Sequence, residues 1–95
     1  MLKEEPNDSF LNYALALEYG KSEEWEKAIE LIENLLKRDE KYLGAYYQLG
    51  KYQELTGQHN KAADTYRKGV SIAQELKNNK AMGELKEALW MLEED

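Results

Sequence analysis

The chain has 95 residues, no cysteine and a formal net charge of −6 at pH 7. This length predicts a single domain, residues 1–95, and the missing cysteine excludes disulfides, thiolate metal sites and cysteine nucleophiles. The acidic balance argues against nucleic-acid binding, which usually needs a basic patch. No stretch approaches the roughly 20 apolar residues of a membrane span. Since no secretory pattern opens the sequence, we expect a cytoplasmic protein.

The acidity is uneven along the chain. Residues 1–42 carry six basic and eleven acidic side chains, a balance of −5, and residues 43–95 carry seven and eight, a balance of −1. We expect most of these acids on solvated helix faces, where they aid solubility. The alternative is that they steer a basic partner toward the protein.

Two helices are predicted in the first part of the chain. Pro6-Asn7-Asp8-Ser9 supplies turn and capping residues for a helix to about Tyr19, which Gly20-Lys21-Ser22 breaks. Ser22 is predicted to cap a second helix that runs to about Arg38, because its apolar residues follow three-four spacing.

Three further helices are predicted after residue 41. The third runs from about Tyr42 to Leu55 and ends at Thr56-Gly57. The fourth covers about 60–76, Asn78-Asn79 breaks the chain, and the fifth covers about 81–92. No segment alternates with the period of a strand. The short connections predict that consecutive helices are antiparallel neighbours.

The chain is similar to itself at an offset of 34 residues. The identities are Tyr13 with Tyr47, Leu15 with Leu49, Lys27 with Lys61, and Ala28 with Ala62. At other positions the size of the side chain recurs, as where Ala16 falls on Gly50. Self-similarity at this period predicts a stacked array of helical hairpins.

Two units, residues 9–42 and 43–76, resemble the tetratricopeptide repeat, whose signature is Trp-x2-Leu-Gly-x2-Tyr, then Ala-x3-Phe, then Pro. The first unit reads Asn12-x2-Leu15-Ala16-x2-Tyr19 and Ala28-x3-Ile32, and the second reads Tyr46-x2-Leu49-Gly50-x2-Gln53 and Ala62-x3-Tyr66. The departures are Asn12, Gln53, and Glu40 and Gln74 in place of the closing proline. Residues 77–95 resemble the capping helix of such arrays.

This resemblance implies an all-α fold, a right-handed α-α superhelix of two antiparallel helical hairpins plus a capping helix. It also implies a non-catalytic protein-protein interaction module that binds a peptide or helical segment in its concave groove. No cofactor or metal is implied.

Glycines inside the predicted helices indicate close packing. Gly50 and Gly69 lie in helix interiors, where glycine costs about 1 kcal/mol relative to alanine. Close helix contact recovers dispersion energy and buried area. We therefore expect Gly50 to face Ala62 in one hairpin, and Ala16 to face Ala28 in the other.

The resemblance places one face of the first and third helices in the concave groove. The predicted groove residues are Phe10, Tyr13, Leu17, Lys21, Tyr47, Lys51, Glu54 and Leu55, with Gly20 and Gly44 on the same faces. Because the first helix is apolar on nearly all sides and has few neighbours, we expect an exposed apolar patch. The alternative is that Phe10 and Leu17 only pack on the adjacent helix. The family's clamp for a C-terminal carboxylate is not expected, since Tyr13, Leu17 and Tyr47 occupy the comparable sites.

Two other functions remain as alternatives. The first is structural self-association through the first helix or through Trp90, which lies off the apolar stripe of the last helix. The second is catalysis, which the sequence disfavours because His59 is the only histidine and is expected to be partly packed beside a turn. The expected partner is a protein or peptide, bound by a monomer or weak homo-oligomer.

Overall fold

The computed structural model describes residues 8–94, so the Pro6-Asn7 turn lies outside the described residues. Residues 8–94 form five α-helices and contain no strand: α1 (Ser9–Lys21), α2 (Trp25–Arg38), α3 (Leu43–Leu55), α4 (His59–Glu75) and α5 (Asn79–Glu94). Each helix packs against the next one in the chain, and α3 also contacts α5. We call α1–α2 the first hairpin and α3–α4 the second hairpin. The predicted all-α fold is confirmed.

The same backbone motif closes α1 and α3. After α1, the amide of Glu24 donates to the carbonyl of Tyr19 at 2.9 Å, and after α3 the amide of Gln58 donates to the carbonyl of Gln53 at 2.8 Å. The residue before each donor has a left-handed backbone, with φ of +60° at Glu23 and +79° at Gly57. This is the Schellman closure of a helix C-terminus. The 34-residue period of the sequence therefore holds for the backbone as well.

The predicted boundary between α1 and α2 is wrong. α1 continues through Gly20 and Lys21, and Ser22 is the residue that ends α1, not the residue that begins α2. The amide of Ser22 donates to the carbonyls of Glu18 and Tyr19, which continues the hydrogen bonding of α1. α2 begins at Trp25 without a side-chain cap.

The start of α5 also differs from the prediction. The side chain of Asn78 accepts a hydrogen bond from the amide of Ala81 at 3.0 Å, as an N-cap residue does. Three residues, 76–78, therefore separate α4 from α5, and Asn79 is already the first residue of α5 instead of part of the break.

Two tyrosine–glycine contacts hold α1 and α3 side by side. Near the helix starts, the hydroxyl of Tyr13 donates a long hydrogen bond, 3.5 Å, to the carbonyl of Gly44. Near the helix ends, Tyr52 covers Gly20, where an added Cβ would lie 2.2 Å from the tyrosine hydroxyl oxygen. The contacts join start to start and end to end, so α1 and α3 run parallel. Gly20 is thus a buried packing residue, and its prediction as a helix break and a groove residue is wrong.

Gly50 accommodates the ring of Tyr66. Tyr66 is fully buried, and a Cβ added at Gly50 would lie 2.2 Å from its Cε1. The three atoms nearest to that position all belong to Tyr66, so the expected partner Ala62 is not the closest neighbour. The equivalent pair of the first hairpin is Ala16 and Ile32, both buried. A larger side chain on the second helix of a hairpin is therefore matched by a smaller one on the first, as dense packing requires.

α5 covers the outer side of the second hairpin. Leu85 is 2% exposed and packs at Gly69, where an added Cβ would lie 3.0 Å from Leu85 Cδ1 and 2.9 Å from Tyr46 Cβ. Met82, Leu89 and Leu92 pack against the same cluster. Trp90 is 63% exposed, as its position off the apolar stripe predicts.

Polar contacts explain two departures from the repeat signature. Gln53, which replaces a tyrosine, is buried, and its Oε1 accepts a hydrogen bond of 2.6 Å from the Thr65 hydroxyl. Glu40, which replaces a proline, pairs with Lys68 at 2.8 Å, and its carbonyl accepts the Tyr46 hydroxyl at 2.6 Å. The connector between the hairpins is thus tied to both α3 and α4.

Candidate peptide-binding groove

The predicted groove residues lie on α1 and α3, the two helices joined by the tyrosine–glycine contacts. Phe10 at the start of α1 is 67% exposed, and Leu55 at the end of α3 is 59% exposed. Lys21, the last residue of α1, is exposed and pairs with Glu18 at 3.4 Å. The two ends of this surface therefore carry large apolar side chains in contact with solvent.

The middle of the surface is partly built from core residues. Tyr13 and Leu17 are half-buried and pack against a core cluster to which α1, α2 and α3 all contribute. Tyr47 is half-buried and packs against the core of the second hairpin. The ring of Tyr13 also lies 5.3 Å from that of Tyr42, measured between centroids. Burial is the main cause that raises the pKa of the Tyr13 hydroxyl above its usual value, with Tyr42 adding to it.

Four side chains of the second hairpin form a polar centre beside these tyrosines. Lys51 Nζ lies 5.6 Å from the centroid of the Tyr47 ring, a cation–π distance. The rings of Tyr47 and Tyr66 are 6.3 Å apart between centroids. The Tyr66 hydroxyl donates a hydrogen bond of 2.5 Å to Glu54 Oε2. Lys51 and Glu54 are thus each held against a tyrosine.

The Tyr66 hydroxyl stays protonated far into the alkaline range. Its burial, and next its hydrogen bond to Glu54, raise the pKa of Tyr66 well above the usual tyrosine value. A protonated hydroxyl is a donor, and a carboxylate accepts. The Tyr66 hydroxyl therefore remains a donor toward Glu54 well above neutral pH.

The polar centre has no counterpart in the first hairpin. The residues that correspond to Glu54 and Tyr66, 34 positions earlier, are Gly20 and Ile32. The groove therefore differs between its two halves: α1 contributes apolar and aromatic residues with Lys21 at its end, and α3 carries Lys51 and Glu54 between its apolar residues.

The repeat signature identifies Tyr66 only as a match to its aromatic position and does not indicate a role for the hydroxyl. The signal was present, because a tyrosine at a buried position usually finds a partner for its hydroxyl. What the sequence could not supply is which acceptor lies within reach. A second expectation is wrong: His59 is exposed instead of partly packed, because it is the first residue of α4.

Two other surfaces lie outside the predicted groove. A cavity of about 550 Å³ lies between α2 and α4, with Leu36, Tyr46 and Leu49 in its wall and ion-paired Glu40 and Lys68 at its edge. The other surface is the side of α1 that carries Leu11 and Leu15, which are 46% and 45% exposed. We call this side the open face of α1.

Two further observations concern the described part of the chain. None of the five helices has the length and apolar character needed to cross a membrane. Within residues 8–94, histidines and carboxylates form no group of three that could hold a metal ion.

The chain is similar to solved structures over nearly its whole length. A tetratricopeptide repeat domain protein from Salinibacter ruber, determined in solution, is 39% identical with a TM-score of 0.89, over 95% of this chain and 91% of that chain. A crystal structure of a tetratricopeptide repeat domain protein from the same organism is 38% identical with a TM-score of 0.85, over 90% and 97%. A protein from Bordetella parapertussis, 24% identical with a TM-score of 0.83 over 92% and 76%, shares the fold. No protein-family model and no curated protein matches the chain.

These similarities identify the chain as a member of the tetratricopeptide repeat family, as its signature residues predicted. Modules of this fold generally serve as non-catalytic scaffolds for protein–protein interaction. A protein is therefore the general kind of partner that the fold indicates.

Proposed function

We propose that this protein is a non-catalytic cytoplasmic module that binds a peptide or helical segment in the groove formed by α1 and α3. The observation that carries the proposal is the exposure of Phe10 and Leu55, 67% and 59%, at opposite ends of a band of half-buried tyrosine and leucine side chains. Exposed apolar side chains that form a continuous surface usually mark a binding site. The groove consists of the eight predicted residues Phe10, Tyr13, Leu17, Lys21, Tyr47, Lys51, Glu54 and Leu55.

The proposal includes a division of the chain into parts with different roles. Residues 9–42 and 43–76 are the two repeats that supply the groove, and residues 77–95 are the capping helix, within one domain that spans 1–95. The right-handed superhelical sense belongs to the same proposal. The burial of Leu85 against Gly69 supports a capping role for α5, because an array of repeats needs a terminal element that covers its last apolar face.

The ligand should be an apolar segment that contains an aromatic residue. Most of the groove surface is aromatic or aliphatic, so burial supplies most of the binding free energy. Two repeats make a short groove, and the cost of ordering the ligand leaves an affinity on the order of micromolar. Salt should weaken binding only slightly, because few charges take part.

Self-association is the second candidate, and the open face of α1 favours it. Leu15 is 45% exposed, whereas its equivalent Leu49 is 6% exposed in a cluster with Ile32 and Leu35 of α2. An uncovered leucine at this position, or the exposed Trp90, would form the contact between copies. A monomer that binds peptide and a weak homo-oligomer differ in sedimentation, because only the latter depends on protein concentration.

Selection from a displayed library of random short peptides tests the groove directly. The groove variant carries Phe10→Ser and Leu55→Ser, and the matched control carries Leu15→Ser and Trp90→Ser. All four side chains are exposed, so neither variant should disturb the fold. We expect the groove variant to lose at least about tenfold in affinity for the selected peptides, the typical effect of removing apolar anchors, and the control to keep it. Equal loss in both variants, or loss only in the control, contradicts the proposal.

A further inference from the structure

Glu54 differs from the ion-paired carboxylates because its partner is a neutral hydroxyl and not a cation. The carboxylates that pair with lysine or arginine within residues 8–94 are Glu18, Glu24, Glu40, Asp64, Glu75 and Glu93. Glu54 is not among them. It is held instead by the neutral hydroxyl of Tyr66, so its negative charge is fixed in place without being neutralised.

The position of the Tyr66 hydroxyl is set by packing. Tyr66 is fully buried, and its ring lies against the backbone of α3 at Gly50. A ring enclosed in this way has one orientation available, because close-packed interiors leave no room for another rotamer. The hydroxyl therefore holds the Glu54 carboxylate in one position on α3.

Glu54 retains capacity for a second donor. A carboxylate offers about four acceptor sites, and Tyr66 occupies one of them, at Oε2. Glu54 is half-exposed, so a ligand can reach the rest. The nearest cation along the same helix face, Lys51, lies over the Tyr47 ring and forms no ion pair with Glu54.

We propose that the groove selects a segment that carries an arginine or lysine side chain next to its apolar residues, and that this cation binds Glu54. In this proposal, which rests on the proposed function, Tyr66 is the positioning residue that holds the carboxylate. Arginine fits better than lysine, because the fork of its planar guanidinium can donate two parallel hydrogen bonds to a carboxylate.

The net charge of the whole chain agrees with a basic ligand. The net charge of −6 gives the molecule a field that attracts cations and raises their rate of encounter. The first hairpin has Gly20 and Ile32 in place of Glu54 and Tyr66, so the cation site exists on one half of the groove alone. The ligand is therefore oriented, with its basic residue on α3 and an apolar residue toward Phe10 of α1.

Competition between two peptide libraries tests the inference. Both libraries contain blocked peptides randomised over apolar and aromatic residues, and they differ in a single fixed position that is arginine in one and citrulline in the other. Citrulline keeps the shape of arginine and lacks its charge. The immobilised full chain is offered an equal mixture, and mass spectrometry of the eluate gives the enrichment of arginine over citrulline. The same measurement is made on Glu54→Gln and Tyr66→Phe.

We expect the unmodified protein to enrich arginine by about tenfold, which is the effect of one hydrogen bond to a charged group. Glu54→Gln should bring the ratio of arginine to citrulline to about one, since the neutral amide cannot form the charge-assisted hydrogen bond with arginine. Tyr66→Phe should lower the ratio while capture of the citrulline library stays the same, because the ring that shapes the groove is kept. A merely structural role for Tyr66 would lower the capture of both libraries equally.

Each contrary result has a separate meaning. A ratio near one in the unmodified protein overturns the inference while leaving the peptide-binding proposal intact, provided that both libraries are captured. Capture of neither library overturns both. If Glu54→Gln, at a half-exposed position that does not endanger folding, keeps the full ratio, then Glu54 is not the cation site. If Tyr66→Phe folds and keeps the full ratio, the positioning role is wrong.

Discussion

Leu49 on α3 is 6% exposed, and Leu15, its equivalent on α1, is 45% exposed. The two leucines occupy the same position of a 34-residue unit. Leu49 packs in a cluster with Ile32 and Leu35 of α2, the helix that precedes α3, whereas no helix of residues 8–94 precedes α1. The comparison shows that burial at a repeat position belongs to the pair of neighbouring units and not to the unit itself, as expected for a stacked array.

The largest expected effect compares these two leucines. Leu49→Ala should destabilise the protein by about 2–5 kcal/mol, the usual cost of truncating a buried leucine. Leu15→Ala should cost less than about 1 kcal/mol, because most substitutions at exposed positions have small effects. Denaturant unfolding of both variants measures the difference. Equal losses of unfolding free energy would mean that the open face of α1 is covered in solution. If the loss for Leu15→Ala depends on protein concentration, a second copy of the chain is what covers that face.

The packing pair of each hairpin provides the next comparison. Gly50→Ala should cost about 1–3 kcal/mol through overpacking against the Tyr66 ring. Gly83→Ala is the matched control: no atom lies within 4 Å of an added Cβ there, so alanine should stabilise α5 by up to about 1 kcal/mol.

Transplanting the pair of the first hairpin sharpens this test. Ala16 and Ile32 are compatible with each other, so Gly50→Ala combined with Tyr66→Ile should cost less than the sum of the two single substitutions. Strict additivity in thermal or denaturant unfolding would show that Gly50 and Tyr66 do not form a packing pair.

Particular residues show how much of the fold could be predicted from the sequence. The three-four spacing of apolar residues, together with turn and capping residues, predicted the five helices. The 34-residue offset predicted the two repeats and their signature positions, and the position of Trp90 off the apolar stripe of the last helix indicated its exposure. Gly20 was misinterpreted, since a glycine near a helix end has the same local pattern whether it ends the helix or accommodates a ring from elsewhere. Tyr52 is 32 positions away in the chain, and no local pattern links it to Gly20.

The candidate groove was less predictable than the fold. The exposure of Phe10 was expected from the apolar character of α1, which has too few neighbours to cover it, whereas Leu55 was included for its position on the groove face of α3. The hydrogen bond from Tyr66 to Glu54 was not expected, because it depends on how closely the Tyr66 ring packs against α3 at Gly50. Whether a side chain on one helix can contact a partner on another depends on how the two helices pack. The periodicity of the sequence does not specify that packing.

Alkaline pH should destabilise both hairpins, because each contains buried or half-buried tyrosines whose pKa is raised, Tyr13 among them. Burial raises the pKa of Tyr46, Tyr52 and Tyr66, and the hydrogen bond to Glu54 raises that of Tyr66 further. The folded state therefore keeps protons that the unfolded state loses above about pH 10, and the stability these groups contribute is lost as pH rises from there. Tyr66→Phe should make the fall in melting temperature above this pH shallower. An identical pH profile for both proteins would contradict the assignment.

The smallest expected effect compares the helix closures. Glu23 and Gly57 are equivalent positions with left-handed backbones, and only glycine adopts that conformation without cost. Glu23→Gly should stabilise the first hairpin by about 1 kcal/mol, and Gly57→Glu should destabilise the second by a similar amount. Denaturant unfolding measures both. Destabilisation by Glu23→Gly would mean that the two closures are not equivalent.

The central claim is that the ligand binds in the groove of α1 and α3. A chemical-shift titration tests it most directly, with the isotope-labelled full chain and the peptide that binds best in the library selection. The amides of α1 and α3 around Tyr13, Tyr47 and Leu55 should show the largest shifts, because burial of the ligand changes their surroundings most. Shifts confined to α2 and α4, around the cavity at Leu36, would contradict the claim. So would shifts confined to the open face around Leu11 and Leu15.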